Sequence, residues 1–358
     1  MHATTITLTD AADVSNAVSA LLDGDRLLIA AADLTTALGW TLKPQGLCKG
    51  EVCVPAAAYP ELVAADEDGT TLVDVVLFAR LTDQPVVIDT DEGLATFGTS
   101  ATVRAEQRAS LQAPDFEVTD LDGNPVRLSD FHGQKKLLVA FSSWCGCRYD
   151  LPAWQALHAE LAPRGFSAVA VAIDENPEDV REWVTDVEFP VVIDRDRTIT
   201  ELYDIRNVPT VVWIDENDRI VRPNDVAFGS DQFKEFHGVD SDPHHDALRR
   251  WVNDDELELD ETSVRDNLFE TTEDTQLARV HWRVAVALHR RGRSEGAARH
   301  FARAGELAPH DFTIRRAALP LQGIDPFLSE EFIELYTGFQ DAGQPDYGFS
   351  QNQPAAAD

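Results

Sequence analysis

The hydrophobic positions of this 358-residue chain change their pattern twice along its length. Between residues 116 and 215, runs dominated by apolar residues alternate with helix-like segments. The run 166–174 has the look of a strand covered on both faces, 136–142 reads as a core strand, and 191–194 and 208–215 continue the pattern. Segments at 148–162 and 197–204 read as helices. A further helix starts after Asn176, with Pro177 in its first turn and acids beside it. Strands alternating with helices predict a layered sheet with helices on both sides.

Before residue 108 the elements are shorter. A strand at 25–30 leads into helical spacing at 31–40, another strand falls at 51–55, and 72–81 is apolar at helical spacing. A hairpin spans 84–97 with its turn at 90–93. The stretch 100–113 is mixed, and the pattern restarts at Ala113, Pro114, Asp115 and Phe116. After residue 240 the strands stop. A helix at 244–252 is followed by an acidic linker at 253–261 and two amphipathic helices at 274–291 and 294–307. The end of the chain is rich in Pro, Gly, Gln and Ala and is expected to fray. The predicted organisation is a small α+β domain (1–108), a central α/β domain (109–255), a helical region (262–342) and a tail (343–358).

Composition narrows the partners. Lys and Arg number 30 against 63 Asp and Glu, a formal net charge of -33, and only five of the basic residues are lysine. Such a surface repels nucleic acid and anionic lipid, so neither is an expected partner. The bland account is an acidic surface tuned for solubility or for a salty cytoplasm; the sharper one is binding of a basic partner. The first ten residues lack a basic segment followed by an apolar one, and no run is long enough to cross a bilayer. Four cysteines in a chain this size do not make a secreted disulfide scaffold, and the expected location is the cytoplasm.

The chemistry concentrates at 136–152. An apolar run ends at Ser142 and Ser143, Trp144 follows, Cys145 and Cys147 flank Gly146, and a helix begins near Arg148, Asp150 and Pro152. Thiols at a helix N-terminus ionise readily, because unpaired N–H groups and the positive dipole end favour thiolate. This predicts a redox or nucleophilic centre.

Residues 112–235 resemble a thioredoxin-like redoxin, nearest to thiol–disulfide oxidoreductases related to cytochrome-maturation proteins and to the alkyl hydroperoxide reductase branch. The resemblance rests on 113–116, on 128–133, on Trp144 with Cys145, on Asp150 with Pro152, and on Asn207, Val208, Pro209 and Thr210 before a strand. It implies a cis Pro209 packed beside the cysteines. It also implies a soluble enzyme acting on thiols and disulfides of proteins or small molecules, without a cofactor or metal.

The chain departs from the family in having one residue between its cysteines rather than two. Counted forward from Trp144, Cys145 matches the attacking cysteine; counted back from Arg148, Asp150 and Pro152, Cys147 matches the resolving one. A disulfide between residues i and i+2 needs non-helical backbone at Gly146 and closes a strained ring, so a relatively oxidising dithiol is expected. Thioredoxin's buried acid falls at Val139 here, leaving Asp150 as the candidate for proton transfer, against an ordinary first-turn acid. Arg148 is a candidate to favour the thiolate by charge, or a solvated arginine. Trp144 belongs to a docking surface or to the core.

Two other functions compete. A peroxidase would press Ser142, Ser143 and Arg148 into polarising a peroxide. A redox-sensing adaptor would couple the dithiol to binding through the C-terminal helices. There Leu288, Gly292, Ala297, Phe301, Ala304 and Pro309 fall at the spacing of one tetratricopeptide repeat, with His281 in place of its first tryptophan. For Cys48 and Cys53 three readings stand: a second redox pair exchanging with Cys145 and Cys147, a shared four-sulfur metal site, or two small buried residues. The histidines, including His132, His244 and His245, lie at no convincing ligand spacing.

Overall fold

The computed structural model describes residues 2–10 and 14–345, which pack as two units: those up to Ala105 with Thr271–Ala308, and Glu106–Glu270 with the described residues from Pro309 to 345. The stretch read as one helical region, 262–342, is therefore divided between the units, and most of the expected tail lies outside the described residues.

The first unit is built on a seven-stranded sheet. Its order is Val63–Ala65, Thr71–Asp74, Arg26–Ala30, Ser15–Asp23, His2–Thr9, Leu94–Phe97 and Val86–Asp89. Only the pairing of His2–Thr9 with Leu94–Phe97 is parallel. The expected hairpin forms, with Val86–Asp89 antiparallel to Leu94–Phe97. The apolar stretch 72–81, read as a helix, splits into the strand Thr71–Asp74 and the helix Val75–Leu81. Asp74 makes the break: its carboxylate caps the helix by accepting from the N–H groups of Val76 and Leu77 at 3.0 and 3.2 Å. The mixed stretch near residue 100 forms the helix Ala101–Ser110.

A separate three-stranded meander, Thr41–Lys43, Gly46–Lys49 and Val52–Val54, places Cys48 opposite Cys53, and the two are joined by a disulfide with Cα atoms 4.1 Å apart. Cys53 is exposed, so the reading of two buried core residues fails for it, and neither sulfur is a free thiolate for a metal. The helices Glu273–Arg290 and Ser294–Leu307 pair in this unit, burying Leu288, Ala297, Phe301 and Ala304, with Gly292 at a φ of 71° between them. Arg283 Nη1 ties the pair to the sheet by donating to the Phe97 carbonyl at 2.9 Å.

The second unit carries the alternating pattern. Its sheet runs Pro125–Arg127, Glu117–Asp120, Val191–Ile193, Phe166–Ala172, Lys135–Phe141, Thr210–Ile214 and Ile220–Asp225. Lys135–Phe141 lies parallel to Phe166–Ala172 and antiparallel to Thr210–Ile214, and all three are buried throughout. Covering elements explain the burial. Leu151–Leu161 turns Leu151, Trp154, Leu157 and Leu161 inward, and Trp251 on Asp242–Asp254 stacks on Trp213 at 4.9 Å. This is the thioredoxin-like α/β arrangement. No helix among the described residues is long and apolar enough to cross a membrane.

One polar contact penetrates this core. Lys136 is fully buried on the central strand, and its Nζ donates to Asp218 Oδ1 at 2.5 Å, while His132 Nδ1 lies 2.6 Å from Asp218 Oδ2. Burial opposes ionisation of Asp218, yet Lys136 and His132 hold its carboxyl below the usual range. The pair's contribution to stability is complete above the ordinary carboxylate range and fades as pH falls through the depressed value. Asp218→Asn keeps a residue that tolerates the φ of 60° at this turn, but leaves Lys136 buried without its counter-charge. In urea denaturation at pH 7 it should lose about 3–5 kcal/mol, and Lys136→Met clearly less, because Asp218 keeps some contact with water. Equal losses from the two variants would contradict this account.

Candidate active site

The strand Lys135–Phe141 delivers the chain to a turn that is clasped from one side. Asp174, at the end of the neighbouring strand, accepts from Ser142 Oγ at 2.9 Å, from Ser143 Oγ at 2.5 Å and from the Ser143 N–H at 3.1 Å. Burial pushes the Asp174 carboxyl up, against the pull of these donors. The backbone then enters a tight 3₁₀ segment, Gly146–Asp150, before the helix Leu151–Leu161 with Pro152 in its first turn.

Cys145 caps this segment, and the Cys147 N–H donates to its sulfur at 3.3 Å. The protonated thiol can instead donate to the Val208 carbonyl at 3.5 Å. Both cysteines are free thiols, each 4 % exposed. Their acidities diverge. Burial opposes ionisation of Cys145, but the Cys147 donors and the Arg316 charge bring its pKa down to about 7. Burial, and then Cys145 itself, pushes the Cys147 thiol well up. The Val208–Pro209 bond is cis, and Pro209 shares a cavity wall with the two cysteines.

Gly146 does not occupy the left-handed region in this dithiol state, so its backbone freedom is not used here. What it supplies is space: a Cβ would sit 3.2 Å from the edge of the Phe233 ring.

Asp150 is 2 % exposed. Burial raises its pKa to about 6, partly offset by Ser230 Oγ at 2.6 Å and by the N–H groups of Gly229 and Ser230. Its charge in turn opposes ionisation of both thiols. Arg148 is turned elsewhere. Its guanidinium donates to the carbonyls of Ser143 and Cys145 at 2.7 and 3.3 Å and stacks over Trp183 and Tyr149 at 4.4 and 4.7 Å. The positive charge that acts on the Cys145 thiol is Arg316, which also lies 5.1 Å over the half-buried ring of Trp144. Residues 145, 147, 150, 209 and 144 are thus gathered in one place. Cys48 and Cys53 belong to the other unit.

Arg316, Ser230, Asp174 and Phe233 escaped the sequence reading. Arg316 left one trace: it and Arg315 interrupt an otherwise apolar stretch, 312–321, where a charge has to be accounted for. Asp174 ends the apolar run 166–174 in the same way.

Residues 110–222 match the family model described as the AhpC/TSA family. The thiol-disulfide oxidoreductase ResA of Bacillus thuringiensis subsp. konkukian is 30 % identical over 128 residues, 35 % of this chain and 74 % of that protein. ResA of Halalkalibacterium halodurans is 29 % identical over 136 residues, 37 % of this chain and 77 % of its own. Among solved structures, the thioredoxin domain of a thiol-disulfide oxidoreductase from Bacteroides vulgatus aligns at 24 % identity and a TM-score of 0.33, covering 40 % of this chain and 96 % of that one. A free dithiol at the end of the central strand, a cis proline facing it and this sequence match agree: the chain belongs to the thioredoxin-like redoxins of the AhpC/TSA family and is a thiol–disulfide oxidoreductase.

Proposed function

We propose that Cys145 is the attacking thiolate and Cys147 the resolving thiol of a relatively oxidising dithiol–disulfide cycle. The observation that carries this is the geometry at Cys145, whose sulfur accepts from the Cys147 N–H at 3.3 Å and which lines the cavity beside Pro209; the same donors and the Arg316 charge favour its thiolate, while burial and Cys145 oppose ionisation of Cys147. The Cys145 thiolate attacks one sulfur of a substrate disulfide, forming a mixed disulfide and releasing the first substrate thiolate. Asp150, ionised above its pKa of about 6, takes the proton from Cys147. The Cys147 thiolate then attacks the Cys145 sulfur, releasing the second substrate thiolate and closing Cys145–Cys147. Two electrons pass from the protein to the substrate, and a dithiol reductant, as a reducing cytoplasm provides, restores the pair. A low thiol pKa stabilises the reduced form and so favours the protein as an oxidant in the reverse direction.

Pro209 lines the cavity with Cys145 and is the surface against which the substrate disulfide lies, and the half-buried Trp144 borders it through Arg316, which sits over its ring. Arg148 holds the turn through its two carbonyl contacts. The peroxidase reading is disfavoured, because the Ser142 and Ser143 hydroxyl protons are committed to Asp174 and Arg148 is engaged with backbone. Cys48–Cys53, open to solvent at Cys53, supports a second exchange site reachable by an external thiolate.

Alkylation of the reduced protein by iodoacetamide, read by mass spectrometry, should modify Cys145 first, with a rate that rises with pH and inflects near 7. A single inflection near 9, or first modification at Cys147, would reverse the assignment. Turnover with dithiothreitol as reductant should vanish in Cys145→Ser, and survival of turnover there would exclude the mechanism. Asp150→Asn separates two effects. It removes a charge that opposes thiolate formation, so the Cys145 inflection should move to lower pH. It also removes the base for Cys147, so decay of a preformed mixed disulfide should slow about a hundredfold. Decay at the wild-type rate would remove Asp150 from the proton path.

A further inference from the structure

A cavity of about 420 Å³ opens directly over Cys145 and Pro209, within the range of about 300–1,000 Å³ typical of small-molecule sites. Much of its remaining wall is aromatic, with Phe228, Phe233, Phe312, Phe327, Phe332 and Tyr336 all contributing. These walls come from residues beyond 222, outside the segment that matches the redoxin family. They have a packed foundation: Phe228, Phe312 and Phe332 join Leu319, Leu335 and Phe339 in a hydrophobic cluster of their own.

One charged side chain lines this apolar space. Arg316 is 6 % exposed, and its guanidinium lies over the rings of Phe332, Trp144 and Phe327 at 4.2, 5.1 and 5.8 Å. Its Nε donates to the Pro326 carbonyl at 2.7 Å. No carboxylate among the described residues forms an ion pair with it. A buried cation needs a counter-charge. Here the Cys145 thiolate supplies one, and the remaining donors of the fork are available to a second anion from the cavity side.

We propose that the preferred substrate is a small organic disulfide, or the corresponding thiol in reverse, whose sulfur is carried on an apolar, preferably aromatic, group bearing a carboxylate or similar anion. The aromatic walls take the ring, Arg316 takes the anion, and the sulfur is left at Cys145. This rests on Cys145 being the attacking thiolate. The dithiol and one molecule of substrate disulfide give the Cys145–Cys147 disulfide and two substrate thiols, with two electrons and two protons transferred.

The test compares two aryl disulfides in single turnover with the reduced full-length protein. One is 5,5′-dithiobis(2-nitrobenzoate), which carries carboxylates; the other is 4,4′-dithiodipyridine, which is neutral. Rates are taken at pH 9, where Cys145 is ionised, so that a change in its acidity drops out. Arg316→Gln should slow the carboxylated disulfide about tenfold or more beyond any effect on the neutral one. An equal effect on both would mean that Arg316 serves the thiol alone, and would overturn the proposal. With the wild-type protein, which avoids any folding defect, 4-phenylbutyrate should compete with 4,4′-dithiodipyridine and 4-phenylbutanol should compete much less. Equal inhibition by the two would also overturn it. Native insulin, with its disulfides intact, reacting faster than either aryl disulfide would point to protein substrates instead. Cys145→Ser should abolish reaction with every disulfide; reaction at the wild-type rate would sink the exchange mechanism itself, a failure distinct from loss of anion preference.

Discussion

The sulfur of a cysteine 4 % exposed keeps a negative charge only where fixed donors replace the water it has lost. Around Cys145 those are the Cys147 donors and the charge of Arg316, while Asp150 works against them. The balance is finely set, because a carboxylate and a guanidinium of opposite effect act on the same atom. It also depends on the turn being rigid. Asp174 holds Ser142 and Ser143, and Arg148 holds the carbonyls of Ser143 and Cys145, so the backbone that presents the sulfur is tied from both sides.

The buried middle of the fold was legible because both faces of its strands are covered. Apolar runs at 136–142 and 166–174 leave little choice but inner strands, and they appear as Lys135–Phe141 and Phe166–Ala172. Strands with one wet face were harder to see. His2–Thr9 buries Ile6 and Leu8 but alternates them with threonines, which weakens its apolar signal. Ile220–Asp225 contains Arg222, Pro223, Asn224 and Asp225, a turn-like composition. It becomes a strand at the sheet edge because tertiary partners absorb its polar groups: Arg222 pairs with Glu258 at 2.6 Å, and Asn224 donates to the Tyr203 carbonyl at 2.6 Å. At the site, the local motif exposed Trp144, Cys145, Cys147 and Asp150. The more distant Arg316 and Ser230 carry no spacing relation to it, and only folding brings them there.

The matched segment and the added segments divide the labour. Residues 110–222 supply the sheet, the cysteines and the cis proline, as a redoxin requires. Residues beyond them supply the guanidinium, the aromatic walls and the hydroxyl that touches Asp150. The shared part carries the thiols and the proline, and the added part places Arg316 among the groups that act on Cys145 and shapes the cavity beside it.

Gly229 shows how tightly the two parts are joined. A Cβ there would lie 2.6 Å from the Asp150 carbonyl oxygen, 3.0 Å from the Asp150 Cβ and 3.1 Å from Trp154 Nε1. The loop closes over the acid because that position has no side chain. A transplant of residues 110–222 alone would keep Cys145 and Cys147 yet leave Asp150 open to water, and its acidity would drift back toward that of an ordinary aspartate. The motif and its cover therefore form one unit, and recombination between relatives that cuts near residue 222 would separate Asp150 from the loop at Gly229 and Ser230 that closes over it.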